Sequence, residues 1–318
     1  MKILVTGGAG FIGSHLTRGV LEAGHQVWVL DNFSTSRWEN LADLSGRINL
    51  VEGDIRDPEV IEPLLGKVEA VFHQAALPSV PRSFAEPVET TSVNSGGTLA
   101  LLEAARKSGI SLFVFASSSS IYGDAAAEAK SEDLPPSPLS PYAVSKLAGE
   151  QYCRLYWKLY GLPTISLRYF NVFGPGQNPK SQYAAVLPLF ITSVLEGKSP
   201  VIYGDGTQSR DFSYVENVVR ANLACLAAPE KAYGEVFNVA CGESIDLVGV
   251  LKNLGEISGK PIAPVFSDRR PGDVLHSRAD ISRAHSLLGY SPAVLFPEGL
   301  RRTYSYFASR KGSRDAKE

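Results

Sequence analysis

The sequence has few of the residues that bind metals or form disulfide bonds. It contains three cysteines, Cys153, Cys225 and Cys241, and five histidines. Neither set has the spacing of a metal-ligand motif, so we predict no metal site. An odd number of scattered cysteines is typical of reduced thiols in a cytosol, so we predict a cytoplasmic protein.

Long apolar runs and blocks of one charge are also missing. No apolar run reaches the ~18–20 residues that a membrane helix needs, so we expect no membrane association. The net charge is -2 and no basic block occurs, which argues against nucleic acid as a partner. Apolar residues make up 44% and charged residues 20% of the 318, as in an ordinary globular enzyme.

A glycine motif stands near the amino end, between a predicted strand and a predicted helix. The strand is Lys2–Thr6, and G-x-x-G-x-x-G runs from Gly7 to Gly13. Such glycines permit a tight turn and let a pyrophosphate approach the helix N-terminus closely. Asp31 ends the next predicted strand, where a carboxylate can hold the adenosine ribose 2′-OH and repel a 2′-phosphate. The pattern predicts an NAD site, and Arg37 leaves NADP open.

Strands and helices alternate over about 175 residues. This rhythm predicts an α/β fold with a doubly wound parallel Rossmann sheet, carried by residues 1–170 together with the catalytic residues. Residues 171–310 lose the rhythm, and we expect them to form mainly a smaller α/β substrate-binding lobe with some return to the first domain. We expect 311–318 to be a frayed tail. The predicted strands are 2–6, 26–30, 48–51, 70–73, 112–116 and 164–169, and a helical pattern covers about 87–107.

A helical stretch after the fifth predicted strand carries a tyrosine and a lysine. Tyr142 and Lys146 are four residues apart, so they lie one turn apart on the same helix face. An ammonium beside a phenol favours the phenolate, which can act as a base near neutral pH. The spacing alone would suit a solvated helix equally well. The glycine motif favours the catalytic interpretation.

Further segments complete a pattern that resembles a known family. They are RYFNVFGPGQ (168–177), GDGTQSRDFSYV (204–215) and RRPGDV (269–274). With TGGAGFIG, Asp31, the serines at 117–120 and Tyr142-x-x-x-Lys146, the chain resembles the extended short-chain dehydrogenase/reductase family over nearly its whole length. Within that family it is most similar to the UDP-sugar 4-epimerases. The resemblance implies tightly held NAD, a UDP-hexose substrate and a homodimer formed through helices at about 87–107 and 140–160.

The resemblance also implies roles for individual residues. Tyr142 would be the base, Lys146 would lower its pKa and hold the nicotinamide ribose, and Ser118 would bond the 4-oxygen of the sugar. The predicted cofactor-binding residues are Gly7, Gly10, Phe11, Ile12, Gly13, Asp31, Asn32, Asp54, Ile55, Gln74, Ala75, Ala76, Asn94, Ser117, Tyr142, Lys146, Tyr169 and Phe170. The predicted substrate-binding residues are Ser79, Ser118, Asn171, Ala185, Val186, Leu187, Tyr203, Arg210, Arg270, Asp273 and Ser277.

The implied reaction is epimerisation at C4 of a UDP-hexose through a transient 4-keto intermediate. In branches confined to glucose and galactose, a tyrosine stands four residues beyond the aspartate of the R-x-G-D motif. Here Ser277 stands at that position, which leaves room for an acetamido group. Ser79 also matches the N-acetyl-tolerant branch, although Pro78 replaces the glycine expected before it. These residues predict UDP-GlcNAc and UDP-GalNAc as substrates beside UDP-Glc and UDP-Gal.

Several other functions remain open from the sequence. A UDP-glucuronate 4-epimerase is one alternative, and its selecting contact would be at C6 of the sugar, for which the sequence shows no clear signal. A sugar-nucleotide dehydratase or UDP-glucuronate decarboxylase needs acidic residues where Ser119 and Ser120 stand, so both are less favoured. A reductase that consumes NADPH is disfavoured by Asp31. A nucleotide-sensing protein without activity typically loses the tyrosine or the lysine, and both are present.

Overall fold

The computed structural model describes residues 1–179, 185–268 and 275–315. The α-helices are α1 (Phe11–Glu22), α2 (Pro58–Leu65), α3 (Val80–Ala85), α4 (Pro87–Thr91), α5 (Gly97–Lys107), α6 (Pro141–Tyr160), α7 (Val186–Leu195), α8 (Val215–Ala224), α9 (Leu247–Ser258), α10 (Ser282–Leu288) and α11 (Phe296–Asp315). The strands are β1 (Lys2–Thr6), β2 (Gln26–Asp31), β3 (Asn49–Glu52), β4 (Ala70–His73), β5 (Leu112–Ser118), β6 (Thr164–Tyr169), β7 (Val172–Phe173), β8 (Val201–Tyr203), β9 (Ser209–Arg210), β10 (Ser213–Tyr214), β11 (Glu235–Val239), β12 (Ile245–Asp246), β13 (Val265–Ser267) and β14 (His276–Ser277).

The main sheet has seven strands in the order β11-β6-β5-β4-β1-β2-β3, and every neighbouring pair is parallel. This confirms the predicted doubly wound parallel sheet. The strand order reverses beside β1, so the crevice at the carboxyl ends of the strands is the expected ligand site. β5 runs two residues further than predicted, so Ser117 and Ser118 lie in the strand.

Alternate residues of each strand feed two separate cores, one on each face of the sheet. Ile3 and Val5 point to the face covered by α1 and α8, whose Leu16 and Val218 are fully buried there. Leu4 points to the opposite face, which is covered by α2, α5 and α6. A strand buried on both faces reads as a continuous apolar run, which is why the sequence revealed these strands well.

The chain returns to the main sheet after building part of a second lobe. Helices α7, α9 and α11 pack around a core of their own that includes Phe173, Phe190 and Leu251. Between these elements in sequence, β11 pairs with β6 and becomes the edge strand of the sheet. Some return to the first domain was predicted, but β11 was not. The domain boundaries themselves stay a prediction.

Two helices differ in detail from their predicted form. The helical pattern at 87–107 is α4 and α5 joined by a π-helical turn at Ser92–Gly96. The last helix continues to Asp315, so residues 311–315, expected in a frayed tail, are helical. Within the described ranges, no helix is both long and apolar enough to cross a membrane.

Candidate active site

The turn between β1 and α1 has a backbone that only glycine can form. Gly7 has φ +65°, and a Cβ on Gly13 would lie 2.0 Å from the carbonyl oxygen of Gly7. Gly10 caps α1 and has no side chain to cover the first backbone N–H groups of the helix. A helix N-terminus left open in this way attracts a phosphate group. The turn therefore fits the pyrophosphate of a dinucleotide.

Asp31 lies at the end of β2 with its carboxylate against this turn. Its Oδ2 accepts a 2.9 Å bond from Ala9 N. Its Oδ1 accepts bonds from Phe33 N at 2.9 Å and from Ser36 Oγ at 2.7 Å. The side chain is thus fixed beside the glycine turn, where its negative charge opposes a second phosphate.

Asp54 lies at the end of the neighbouring strand and is held by an arginine that the sequence analysis did not single out. Arg56 Nη2 lies 2.8 Å from Asp54 Oδ2, and Arg56 Nε lies 3.0 Å from Oδ1. These bonds lower the pKa of Asp54, so the carboxylate stays ionised. Arg56 also contacts Glu89 at 3.0 Å, which joins this strand end to α4.

The end of β4 brings three side chains of distant sequence positions together. Gln74 Nε2 donates to Tyr169 Oη at 3.0 Å, and Asn222 Nδ2 donates to the same oxygen at 2.8 Å. Burial raises the pKa of Tyr169, so its hydroxyl stays protonated. Gln74 and Tyr169 were predicted to be near the cofactor. Asn222 was not predicted. The sequence feature that could have indicated it is an amide side chain on the buried face of a helix.

Asn94 lies in the π turn and is fully engaged with the protein. Its Oδ1 accepts from Leu77 N at 2.8 Å, and its Nδ2 donates to Leu77 O at 3.2 Å and to Ser145 Oγ at 3.1 Å. π turns occur frequently at functional sites. Here Asn94 of the turn bonds both to Leu77, in the loop after β4, and to Ser145 of α6, which directly precedes Lys146. Its predicted contact with the cofactor stays a prediction.

Tyr142 and Lys146 lie in the first turns of α6, which Ser140 caps by accepting a bond from Ala143 N at 3.1 Å. Lys146 Nζ donates to Ala116 O at 2.9 Å and lies 5.9 Å from the centre of the Tyr142 ring. Burial lowers the pKa of Lys146 to about 8.

The pKa of Tyr142 differs from the expectation. Burial raises this pKa, and a hydrogen bond with Ser118 opposes the rise only in part. The hydrogen bond of the Lys146 ammonium goes to the end of β5. The three predicted catalytic residues nevertheless meet at the carboxyl end of this strand.

The two serines at the end of β5 have different partners. Ser118 Oγ accepts from Ser120 N at 3.2 Å and from Ser120 Oγ at 2.9 Å. Ser117 Oγ instead donates to Glu150 at 2.6 Å and is buried. Ser118 therefore faces the site, whereas the Ser117 hydroxyl is directed to α6.

The predicted substrate-binding residues lie mostly on short strands and loops of the second lobe. Arg210 on β9 pairs in register with Ser277 on β14, and Arg210 Nη1 donates to Leu275 O at 3.2 Å. Asn171 Nδ2 donates to Asp211 O at 3.0 Å. Ala185 is exposed, Val186 and Tyr203 are partly buried, and Leu187 is buried in the core of the lobe. Arg270 and Asp273 lie outside the described residues.

Asp211 is a buried carboxylate that the sequence analysis passed over. It is 0% exposed and accepts bonds from Cys241 N at 2.9 Å, Gly242 N at 3.0 Å and Ala279 N at 3.2 Å. Burial raises its pKa to about 6. The carboxylate thus ties β9 to the segments after β11 and β14. Its place beside Arg210 was the available signal.

Three residues other than glycine have positive φ, and all three follow strands of the main sheet in the described ranges. They are Phe33 (φ 54°), Ser79 (φ 101°) and Asn171 (φ 34°). Such backbone costs of the order of 1–3 kcal/mol each and clusters at functional sites. Ser79 also caps α3, since its Oγ accepts from Arg82 N at 3.2 Å.

Comparison with known proteins identifies the family of the chain. The model of the NAD dependent epimerase/dehydratase family matches residues 3–240. The UDP-glucose 4-epimerase of Mycolicibacterium smegmatis is 39% identical over 314 residues, which cover 98% of this chain and 99% of the relative. The chain belongs to the NAD-dependent epimerase/dehydratase family.

Two solved structures are similar over nearly the full chain. One is the UDP-N-acetylglucosamine 4-epimerase of Methanobrevibacter ruminantium M1 in complex with UDP-N-acetylmuramic acid (TM-score 0.93, 39% identity, 97% of this chain and 98% of that one). The other is the UDP-glucuronic acid 4-epimerase of Bacillus cereus with UDP-glucuronic acid and NAD (TM-score 0.90, 38% identity, 98% and 100%). The protein is thus an NAD-dependent enzyme of the isomerase class, as predicted. Its relatives act on different UDP-sugars.

Proposed function

We propose that this protein epimerises UDP-hexoses at C4, and that it accepts UDP-GlcNAc and UDP-GalNAc as well as UDP-Glc and UDP-Gal. The observation that carries the reaction is the grouping of Ser118, Tyr142 and Lys146 at the carboxyl end of β5. This end lies on the same edge of the sheet as the glycine turn and Asp31.

Bound NAD supplies a hydride acceptor that becomes a hydride donor later in the same cycle. Tyr142 takes the proton of the 4-hydroxyl as the 4-keto sugar forms, and returns it after the sugar has rotated. Ser118 holds the 4-oxygen. Because the proton goes back to the sugar, Tyr142 needs no net exchange with solvent.

Lys146 assists this proton transfer through its charge. With a pKa of about 8, most of the side chain is an ammonium at pH 7. The ammonium favours the phenolate of Tyr142 and so offsets part of the effect of burial. The geometry supports a lysine that acts through the field it creates, since its hydrogen bond goes to Ala116 O.

The proposed range of sugars rests on Ser277. It pairs in register with Arg210, another predicted substrate-binding residue, so a small side chain lies one strand away from that guanidinium. A hydroxymethyl group leaves space for an acetamido group and can donate a hydrogen bond to it.

A panel of UDP-sugars, with the C4 epimers followed by NMR, tests the proposal. Ser277→Tyr is expected to abolish turnover of UDP-GalNAc selectively by steric exclusion, and to spare UDP-galactose. His276→Tyr is the matched control, because successive side chains of a strand point to opposite sides. A wild-type enzyme that turns over UDP-galactose but not UDP-GalNAc contradicts the proposed role of Ser277 and leaves the proposed epimerisation intact.

UDP-glucuronate is the second candidate substrate. It is favoured by the 38% identity to the Bacillus cereus UDP-glucuronic acid 4-epimerase. Turnover of UDP-glucuronate alone in the same panel would select it. Dehydration or decarboxylation finds less support, because Ser119 and Ser120 offer no acidic group at the end of β5.

A homodimer is part of the proposal and is supported by an exposed apolar stripe. Val144, Leu155 and Leu159 lie along one face of α6, and Val88 of α4 is 81% exposed. Sedimentation of the wild type and of Leu159→Glu tests this point, with a monomer expected for the variant.

A cytoplasmic location is also proposed, on the ground that the three cysteines are free and buried. Cell fractionation tests it.

A further inference from the structure

A buried carboxylate lies on the same face of α6 as the catalytic pair. Tyr142, Lys146 and Glu150 follow one another at intervals of four, so they line one side of the helix. Glu150 is 1% exposed. Its Oε1 accepts bonds from Ser117 Oγ at 2.6 Å and from Arg168 Nε at 2.8 Å, and its Oε2 accepts one from Arg168 Nη2 at 2.7 Å.

Stability alone explains this ion pair poorly. The side chains of Arg168 and Glu150 are 4% and 1% exposed, so both charges have been taken out of water. Apolar residues of similar volume are often as stable as a buried pair of this kind. Arg168 Nη1 moreover is buried without a hydrogen-bond partner in the described part of the chain, and the guanidinium lies 4.6 Å from the centre of the Tyr122 ring.

The pair does fix where α6 lies along the sheet. Ser117 of β5 and Arg168 of β6 are direct neighbours in register, so one carboxylate of the helix bonds to two adjacent strands. The planar fork of arginine binds a carboxylate in a narrow range of orientations. Ser117 directly precedes Ser118, whose hydroxyl bonds Tyr142.

We propose that Glu150 and Arg168 are positioning residues, which set Tyr142 and Lys146 at the correct height beside the end of β5. The inference rests on the proposed function of those two residues. One residue of a helix advances by about 1.5 Å. A misplacement of about 1 Å at a reacting group can cost roughly 100-fold in rate.

The test replaces the whole pair with apolar residues, Glu150→Leu with Arg168→Met. The double variant is expected to melt near the wild-type temperature and to retain its NAD. Its KM for UDP-galactose should stay within about twofold, while kcat falls by at least roughly tenfold. The acid limb of the kcat profile should move to higher pH, because Tyr142 loses the Ser118 bond that lowers its pKa.

Two further variants keep the test decisive. Glu216→Gln weakens two exposed pairs, with Arg220 (3.1 Å) and with Arg302 (3.0 Å), and is expected to leave kcat and the pH profile unchanged and the melting temperature close to that of the wild type. Glu150→Gln preserves the shape of the buried site and removes its charge. If the double variant does not fold, Glu150→Gln measured below its melting temperature decides, and the same selective fall in kcat is expected.

Some outcomes overturn the inference. One is a double variant with wild-type kcat and pH profile. Another is a loss of activity that is proportional to the unfolded fraction of the variant. A third is a variant that loses NAD although its melting temperature equals that of the wild type, which would assign the pair to cofactor binding. A wild-type enzyme that does not epimerise any UDP-sugar overturns the proposed function instead, so the two failures are distinguishable.

Discussion

The two halves of the candidate site are held in different ways. The cofactor half lies at the ends of the parallel strands of the main sheet, and its shape comes from backbone packing such as the contact of Gly13 with Gly7. The substrate half stands on two-residue strands, β9 and β14, that are tied together through Asp211. Binding in the first half should therefore be sensitive to any added side-chain atom. Binding in the second half should be sensitive to the loss of the Asp211 carboxylate as a hydrogen-bond acceptor.

Loss of Tyr142, the proposed base, should have the largest effect of the changes considered. Tyr142→Phe removes one hydroxyl and should lower kcat by ~10²–10⁴-fold, the usual contribution of general acid–base catalysis. NAD content and melting temperature should stay close to those of the wild type. A variant that retains most of its turnover would place the base elsewhere.

The cofactor half can be broken by a single methyl group. Gly13→Ala places a Cβ where 2.0 Å separates it from the Gly7 carbonyl oxygen. Overpacking of this kind typically costs ~1–3 kcal/mol, so we expect a lower melting temperature and loss of bound NAD. Gly96→Ala is the control, because a Cβ there meets nothing within 4 Å and its φ is −63°. Equal NAD content in both variants would contradict the steric argument.

Substitution of Asp211 should weaken substrate binding in the substrate half. Asp211→Asn leaves one oxygen to accept where the carboxylate meets three N–H groups. Lost hydrogen bonds of ~0.5–1.5 kcal/mol each predict a KM for UDP-galactose raised by roughly tenfold, with NAD retained.

The pH dependence sharpens this prediction. The carboxyl of Asp211 has a pKa of about 6 in the folded protein, so it takes up a proton as the pH falls through that value. KM for the wild type should rise below about pH 6 and that of Asp211→Asn should not. A wild-type KM that is flat across this range would separate Asp211 from substrate binding.

The smallest effect is expected at the partly exposed edge of the cofactor half. Arg56→Gln removes the ion pair with Asp54. The side chain of Arg56 is 35% exposed and that of Asp54 is 27% exposed. Pairs this accessible contribute ~0–1 kcal/mol, so NAD affinity should fall by less than about fivefold. Titration of NAD into the apoprotein measures it, and a larger loss would show that Arg56 contacts the cofactor directly.

The sequence revealed the cofactor half better than the substrate half, for a physical reason. Buried parallel strands are continuous apolar runs, and a tight turn next to a phosphate requires glycine, so both leave clear local patterns. Two-residue strands such as β9 and β14 have no periodicity to detect. The partners of Asp211 are backbone N–H groups, which carry no sequence signature at all.

For the residues of α6 as well, some properties could be predicted from local sequence and others depend on the folded structure. The tyrosine and lysine of α6 could be recognised by spacing and resemblance. The direction of the Tyr142 shift could not, because burial depends on which elements cover the helix. The role of Glu150 was equally hidden, since its partners Ser117 and Arg168 are 33 and 18 residues away in sequence.

The position of β11 has a consequence for the order in which the protein can assemble during synthesis. The edge of β6 that β11 covers stays open until residues 235–239 have left the ribosome. Until then β6, whose six residues are all buried in the complete protein, is the edge strand and exposes unpaired N–H and C=O groups, a template for pairing with another chain. A polypeptide that stops before residue 235 should therefore aggregate rather than behave as an independent nucleotide-binding unit. The main sheet is thus completed only after the chain segments that form α7 and α8 have been synthesised.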